Sequence, residues 1–320
     1  MATEIYVISG FLGAGKTTLI QKLLKEAFKK EKVVLIENDF GEISVDAALL
    51  KSGSIEIKEI NSGCICCSLS GDFVKALKEL LDRFHPDKII IEPSGVGKLS
   101  DIMKACLDPR IQLLAKVKAK ITVADVKRCK MYLDNFGEFF EDQIQNADII
   151  LLSRTENFPG KISDAYKLIK GLNEHSLILS KPWDQIDMAE IISAQYAHRE
   201  YTEHCGHMRG CGCRQHGEHD HDANCEHNHS AEEAFDTVTI RTKQVFSVED
   251  LKARVSNMEQ TAKGTVLRAK GIVRSPSGYI NLQYLPGDVQ ITKCTVSGDM
   301  LCIIGRHLNR QELVSLFSGE

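Results

Sequence analysis

Short apolar runs alternate with longer amphipathic stretches through the first two hundred residues. Runs at 5–8, 33–36, 55–60, 88–91, 117–123, 149–152 and 177–179 have the length and β-branched content of strands. Leu19, Ile20, Leu23 and Leu24 form a helical stripe, and the spacing predicts further helices over 73–84, 102–107, 162–172 and 188–194. Alternation of this kind implies a mostly parallel sheet covered by helices. The pattern then stops. Residues 203–230 hold seven histidines and four cysteines with almost no large apolar side chain, so this stretch cannot bury a core and is expected to act as a mobile tether. Alternation resumes at 237–241. Ser247 to Asp250 reads as a helix cap before Leu251 and Val255, strands are expected at 265–272, 279–285 and 300–304, and a last helix at 311–317. The expected organisation is an α/β domain over 1–200, a His/Cys-rich linker over 201–233 and a small α+β domain over 234–320.

Composition narrows the class. With 43% hydrophobic and 26% charged residues the chain reads as an ordinary globular protein, and a net charge of −4 gives no electrostatic case for nucleic acid or an anionic membrane. No apolar run approaches a membrane span and no secretory leader is legible, so a cytoplasmic location is expected. There the eleven cysteines should be thiols or metal ligands rather than disulfides.

Four segments carry recognisable chemistry. The strand-like run at 5–8 leads into Gly10-Phe11-Leu12-Gly13-Ala14-Gly15-Lys16-Thr17, a complete phosphate-binding loop between a strand and a helix start. Gly10, Gly13, Ala14, Gly15, Lys16, Thr17 and Thr18 are the candidate phosphate set. Backbone N–H groups cradle the phosphates, Lys16 reaches the β- and γ-phosphates, and the Thr17 hydroxyl ligates Mg²⁺. After the third strand comes Gly63-Cys64-Ile65-Cys66-Cys67, three thiols that an irregular backbone can converge on a soft ion: Zn²⁺ above all, with Co²⁺ and Ni²⁺ also accommodated. Ile89-Ile90-Ile91-Glu92-Pro93-Ser94-Gly95 is an apolar strand ending in an acid, the usual station of the residue that holds Mg²⁺ or its water. The Gly95 N–H there stands to sense the γ-phosphate. Glu37-Asn38-Asp39-Phe40-Gly41-Glu42 follows the second strand as a candidate switch, with Glu37 and Asp39 able to reach Mg²⁺ or a second metal and Glu42 the attacking water. Lys16, Glu92 and Glu42 are the candidate catalytic groups. In the tether, His204, Cys205, His207, Cys211, Cys213, His216, His219, His221, Cys225, His227 and His229 form a loose metal store rather than one closed site. Cys106, Cys129, Cys294 and Cys302 sit in apolar context and are expected in the core, and His85, His175 and His307 are assigned no role.

Taken in order, the phosphate loop, Glu-Asn-Asp-Phe-Gly-Glu, Gly-Cys-Ile-Cys-Cys and Glu-Pro-Ser-Gly resemble the CobW-type metallochaperone GTPases, relatives of the urease and hydrogenase nickel-insertion GTPases. Arg268-Ala269-Lys270-Gly271 and Cys302-Ile303-Ile304-Gly305-Arg306 resemble that family's small C-terminal domain. The resemblance implies that Cys64, Cys66 and Cys67 bind the delivered metal and that GTP binding and hydrolysis gate its uptake and release. It also implies a client metalloprotein as partner, with a nucleotide- or metal-dependent homodimer as a further expectation. One departure stands out: where the family carries Asn-Lys-x-Asp to read guanine, this chain has Ser153-Arg154-Thr155-Glu156. Arg154 and Glu156 are therefore the candidate base-binding pair, and the preference for GTP over ATP is expected to be less sharp. The rival readings are a metal buffer or sensor with a regulatory nucleotide site, and an activator of a metalloenzyme that carries no metal itself.

Overall fold

The structure, a computed structural model, describes residues 2–37, 56–59, 71–193 and 234–318. Seven strands, β1 (Thr3–Gly10), β2 (Val33–Glu37), β3 (Glu56–Glu59), β4 (Lys88–Glu92), β5 (Ala115–Asp125), β6 (Ile149–Ser153) and β7 (Leu177–Leu179), make one sheet in the order β3-β2-β4-β1-β5-β6-β7. All six pairings are parallel. Both faces are covered, which explains why the central strands read as continuous apolar runs. Tyr6, Ile8, Leu35, Ile121 and Leu151 face α1 (Lys16–Glu26) and a later helix, α7 (Met188–Ser193). Ile5, Val7, Ile36, Ile91 and Leu152 face α2 (Gly71–Phe84), α3 (Leu99–Cys106), α5 (Cys129–Gln145) and α6 (Ile162–Leu172), with the short α4 (Pro109–Gln112) beside them.

A second sheet, antiparallel, has the order β11-β10-β9-β12-β8, from β8 (Asp236–Arg241), β9 (Thr265–Ser275), β10 (Gly278–Leu285), β11 (Asp288–Cys294) and β12 (Met300–Arg306). One face packs on α8 (Val248–Thr261) and α9 (Arg310–Ser318) through Leu251, Val255, Leu313 and Phe317. Ser247 caps α8 as expected, its hydroxyl accepting from the Asp250 N–H at 3.0 Å. The other face joins the first core: Leu267, Cys302 and Ile304 share an apolar cluster with Phe11, Leu12 and Phe139.

The expected α/β architecture with a small α+β unit is the one found, and four details differ. The helix α5 falls where no helix is expected; Gly137 and a non-helical Phe136 (φ −140°, ψ 34°) interrupt it. β11 is an edge strand whose side chains are mostly exposed or half-buried, so it lacks the apolar alternation that marks its neighbours. For the same reason Cys294 is half-buried rather than in the core, while Cys106, Cys129 and Cys302 are buried. Finally, β3, the strand before Gly63-Cys64-Ile65-Cys66-Cys67, is not a neighbour of the phosphate-loop strand. It lies instead at the sheet edge, with β2 and β4 between it and β1, three strand spacings or about 14 Å away.

Candidate functional site

The phosphate loop forms where the sequence places it. β1 ends at Gly10, α1 starts at Lys16, and Gly15 caps the helix in a left-handed conformation (φ 112°) that a side chain rarely adopts. The loop is held from behind: the Tyr132 hydroxyl on α5 donates to the Leu12 carbonyl at 3.0 Å, and the Phe11 and Tyr132 rings sit 4.3 Å apart. Gly95 packs against the same loop, since a Cβ there would stand 2.9 Å from the Leu12 nitrogen. The Gln143 side chain donates to the Gly95 and Gly97 carbonyls, at 3.3 and 2.8 Å, fixing that turn.

Charge gathers at the carboxyl ends of β1, β2 and β4. Lys16, 6% exposed, donates to the Gly10 carbonyl at 3.1 Å and stands 4.0 Å from the Glu92 carboxylate. The Thr17 hydroxyl donates to that carboxylate at 3.4 Å. Glu92 lies in register with Glu37 on the neighbouring strand, and Glu37 with Glu59 beyond it. Burying Glu37 and Glu92 together is costly unless cations meet them. Lys16 meets one. Another cation comes from far along the chain: Lys270, on β9, is fully buried, and Glu37 and Lys16 both act on its charge. Burial pushes the Lys270 amine down to about 8, with Lys16 pushing the same way and Glu37 and Cys302 opposing.

The segment in place of Asn-Lys-x-Asp is tied up in structure. Arg154 adopts φ 61° and its guanidinium spans two acids, Asp125 at 3.1 Å and Asp288 at 3.2 Å. Arg128 bonds the same Asp125 at 2.6 Å and approaches Asp288 at 3.6 Å. Glu156 accepts from the Trp183 backbone N–H at 3.3 Å, while the Trp183 indole donates to the Leu152 carbonyl at 2.8 Å. The indole edge lies 3.3 Å from where a Cβ on Gly15 would be. Ser153 Oγ and Thr155 Oγ1 are buried with no hydrogen-bond partner among the described residues. The base loop, Trp183 and the phosphate loop thus share one rim. The turn between β10 and β11 closes over it: Leu285 fills the space that any side chain on Gly13 would need, and Arg128 reaches the Pro286 carbonyl at 3.4 Å.

Of the sequence candidates, the structure brings together Gly10, Gly13, Ala14, Gly15, Lys16, Thr17, Thr18, Glu37, Glu92 and Gly95, with Arg154 and Glu156 on the rim. Asp39, Glu42, Cys64, Cys66, Cys67 and all eleven linker ligands lie outside the described residues. Among the described residues no three His, Cys, Asp or Glu side chains converge as a metal site. Sequence reasoning assigns no role to Asp125, Arg128, Trp183, Lys270 or Asp288. For Lys270 the local signals were a lysine inside the apolar run of β9 and its place in the Arg268-Ala269-Lys270-Gly271 segment.

A glycine-turned loop between parallel strand and helix, with its lysine, threonine and a strand-end acid in mutual reach, defines a P-loop nucleoside-triphosphate-binding protein. The comparisons narrow this further. The nucleotide-binding domain of CobW/HypB/UreG matches residues 4–179, and the cobalamin synthesis protein CobW C-terminal domain matches residues 235–319. The chain belongs to the CobW/HypB/UreG family. Among its relatives, the zinc chaperone CobW of a Sinorhizobium species is 31% identical over 84% of this chain and 81% of its own length. The zinc chaperone YeiR of Escherichia coli K12 is 26% identical, over 90% and 88%. Among solved structures, the Zn(II)-bound YjiA GTPase of E. coli aligns over 100% of this chain and 99% of its own, at 14% identity and a TM-score of 0.44.

Proposed function

We propose that this chain is a GTP-hydrolysing metallochaperone that takes up Zn²⁺, Co²⁺ or Ni²⁺ and passes it to a client metalloprotein. Family membership and relatives named as zinc chaperones support the class. The observation that carries the reading is the shared edge of the sheet. Glu92, which Thr17 and Lys16 engage, stands in register with Glu37, and Glu37 opens the acidic loop 37–42. β3, next in the sheet, runs toward Cys64, Cys66 and Cys67. Along the sheet, β2 alone separates β3 from β4, which carries Glu92, and Cys64 follows the end of β3 by five positions in the sequence.

Lys16 neutralises charge on the transferring phosphoryl group, and the loop N–H groups hold the phosphates in place. Thr17 and Glu92, whose oxygens lie 3.4 Å apart, are hard oxygen donors of the kind Mg²⁺ takes, and phosphate oxygens and water would complete its six ligands. When bound, that ion would neutralise charge on the phosphates. Glu42 is the group assigned to orient the attacking water. Cys64, Cys66 and Cys67 hold the cargo metal, the histidines and cysteines of 203–230 raise local metal capacity, and the three-part division at 200 and 233 follows from those roles. No helix among the described residues is long and apolar enough to cross a membrane, and a reducing cytoplasm suits free thiolate ligands.

The test is turnover. Purified full-length chain should hydrolyse GTP faster than ATP, and Zn²⁺, Co²⁺ or Ni²⁺ should change the rate. A variant with Cys64, Cys66 and Cys67 all changed to Ser should keep basal hydrolysis and lose the response. A response unchanged in that variant would remove the cysteines from the mechanism.

A further inference from the structure

One strand of the first sheet outruns its neighbour. β5 pairs with β1 from Ala115 onward, but its pairing with β6 begins only at Ile121. Asp148 closes the ladder just before that point: its backbone N–H donates to the Lys120 carbonyl at 2.9 Å, and its carboxylate accepts from the Lys120 N–H at 3.1 Å. Among the described residues, 115–119 thus have a strand on one side only. Five residues give about 17 Å of open edge. It lies at the amino-terminal end of the strands, where Ala115 faces Thr3, and the phosphate loop is at the other end.

Open edges are commonly blunted by lysines and bulges. Both are here. Ile5 pairs with Val117 and Tyr6 with Ala119, so Lys118 is an extra residue in the strand, with Lys116 and Lys120 on either side. Beside this edge, however, is a cavity of about 350 Å³ that a guard alone does not require. It is lined by Met103 and Leu107 at the end of α3 and by all three lysines. Gln112 of α4 lines it too, and the next residue, Leu113, is 85% exposed. The cavity's charge is one-sided: the lysines face a single lining acid, Asp148, which Lys120 already pairs at 3.1 Å. Nearby Asp101 and Asp108 are held by Lys104 at 2.9 Å and Arg110 at 2.8 Å. Glu4, in register with Lys116 across β1, is held by Lys88 at 2.7 Å. Lysines so placed repel a basic strand and admit an acidic one.

We infer that residues 115–119 are a docking edge for an extended, acidic segment of a partner protein. The segment adds to the sheet beside β5 through main-chain hydrogen bonds, which supply affinity, and side chains supply the choice of partner. Its carboxylates answer Lys116 and Lys118, and an apolar side chain enters the cavity against Met103 and Leu107. The edge lies at the opposite end of the strands from the phosphate loop, so this inference stands apart from the GTPase reading.

The experiment is fluorescence anisotropy of the full-length chain with short labelled peptides, in chelator so that no metal bridges the carboxylates. One probe alternates Glu and Val, a second alternates Lys and Val, and a third is the Glu/Val peptide with every other backbone nitrogen methylated. The Glu/Val peptide should bind saturably, at least about 10-fold more tightly than the Lys/Val peptide, because like charges set side by side repel. Methylation should abolish binding, since it removes the donors that a strand edge presents. Lys116→Glu combined with Lys118→Glu should weaken binding of the Glu/Val peptide by about 10-fold or more. Lys116→Gln with Lys118→Gln carries the same comparison if the charge reversal does not fold. Absence of saturable binding up to about 1 mM peptide would mark a guarded edge. Equal binding of the methylated peptide would mark charge attraction without strand addition, and unchanged affinity in the lysine variants would put the peptide elsewhere. Each of these overturns the inference.

Discussion

Asp125 and Asp288 answer the same two arginines, yet removing them should have very different consequences. The Asp125 side chain is 0% exposed and takes Arg128 at 2.6 Å, Arg154 at 3.1 Å and the Lys127 backbone N–H at 2.9 Å. Arg128 is itself 3% exposed. Asp125→Ala leaves that guanidinium in the core with Asp288 at 3.6 Å and a carbonyl at 3.4 Å as its nearest acceptors. Breaking a buried pair in this way costs about 3–5 kcal/mol. Asp288 is 25% exposed and pairs chiefly with Arg154, which is 27% exposed. Solvent screens that pair, and Asp288→Ala leaves both arginines with Asp125, so its cost should be about 0.5–1 kcal/mol. Equilibrium urea unfolding of the two variants, followed by far-ultraviolet circular dichroism, measures both. The reasoning fails if the two substitutions cost the same, or if Asp125→Ala costs less than about 1 kcal/mol. The distinction bears on function, because Asp288 ties the second sheet to the loop expected to read the base. Asp288→Ala should loosen that tie without unfolding either core.

Trp183 is the single tryptophan, and its indole lies against Gly15, so emission should change saturably on GDP binding and stay constant in Lys16→Ala. A constant signal in wild type that binds nucleotide by calorimetry would place the nucleotide away from this rim. Thr17→Ala should weaken nucleotide binding in Mg²⁺ while leaving affinity in chelator unchanged, since its hydroxyl is assigned to the ion; an equal loss in both would refute that role. Burial pushes the Cys106 and Cys129 thiols up to about 12. Thiolate is the reactive form, so among the described cysteines alkylation at pH 8, mapped by mass spectrometry, should modify half-buried Cys294 before Cys106 and Cys129.

Much of this arrangement was legible locally. Strand, glycine loop and helix start are contiguous between Thr3 and Glu26, so periodicity and motif agree without tertiary information. The same holds for β4 and Glu92, where an apolar run stops at an acid. What escaped reading is long-range. Arg154 and Asp288 are 134 positions apart, and nothing near either announces the other. Tyr132 supports Leu12 from 120 positions away on a helix whose apolar spacing is broken at Phe136 and Gly137. Strand order is equally non-local. Chain order makes β3 a near neighbour of β1, but β2 and β4 intervene because crossovers, not sequence adjacency, set position in a parallel sheet. In the proposed mechanism, coupling between Cys64–Cys67 and the phosphates would have to cross β2, the strand that ends in Glu37.

In the proposed mechanism metal and nucleotide act on one switch, and linkage gives that coupling a single decisive measurement. Metal affinity of the protein lacking residues 203–230 should be determined by competition with a chromogenic chelator, with and without a non-hydrolysable GTP analogue in Mg²⁺. Removing the linker store leaves the site assigned to Cys64, Cys66 and Cys67. Metal should bind more tightly when the analogue is bound, by about 10-fold or more, and the analogue should gain an equal factor when metal is bound. Equal metal affinities in the two states would contradict it, leaving a GTPase that binds metal without coupling the two.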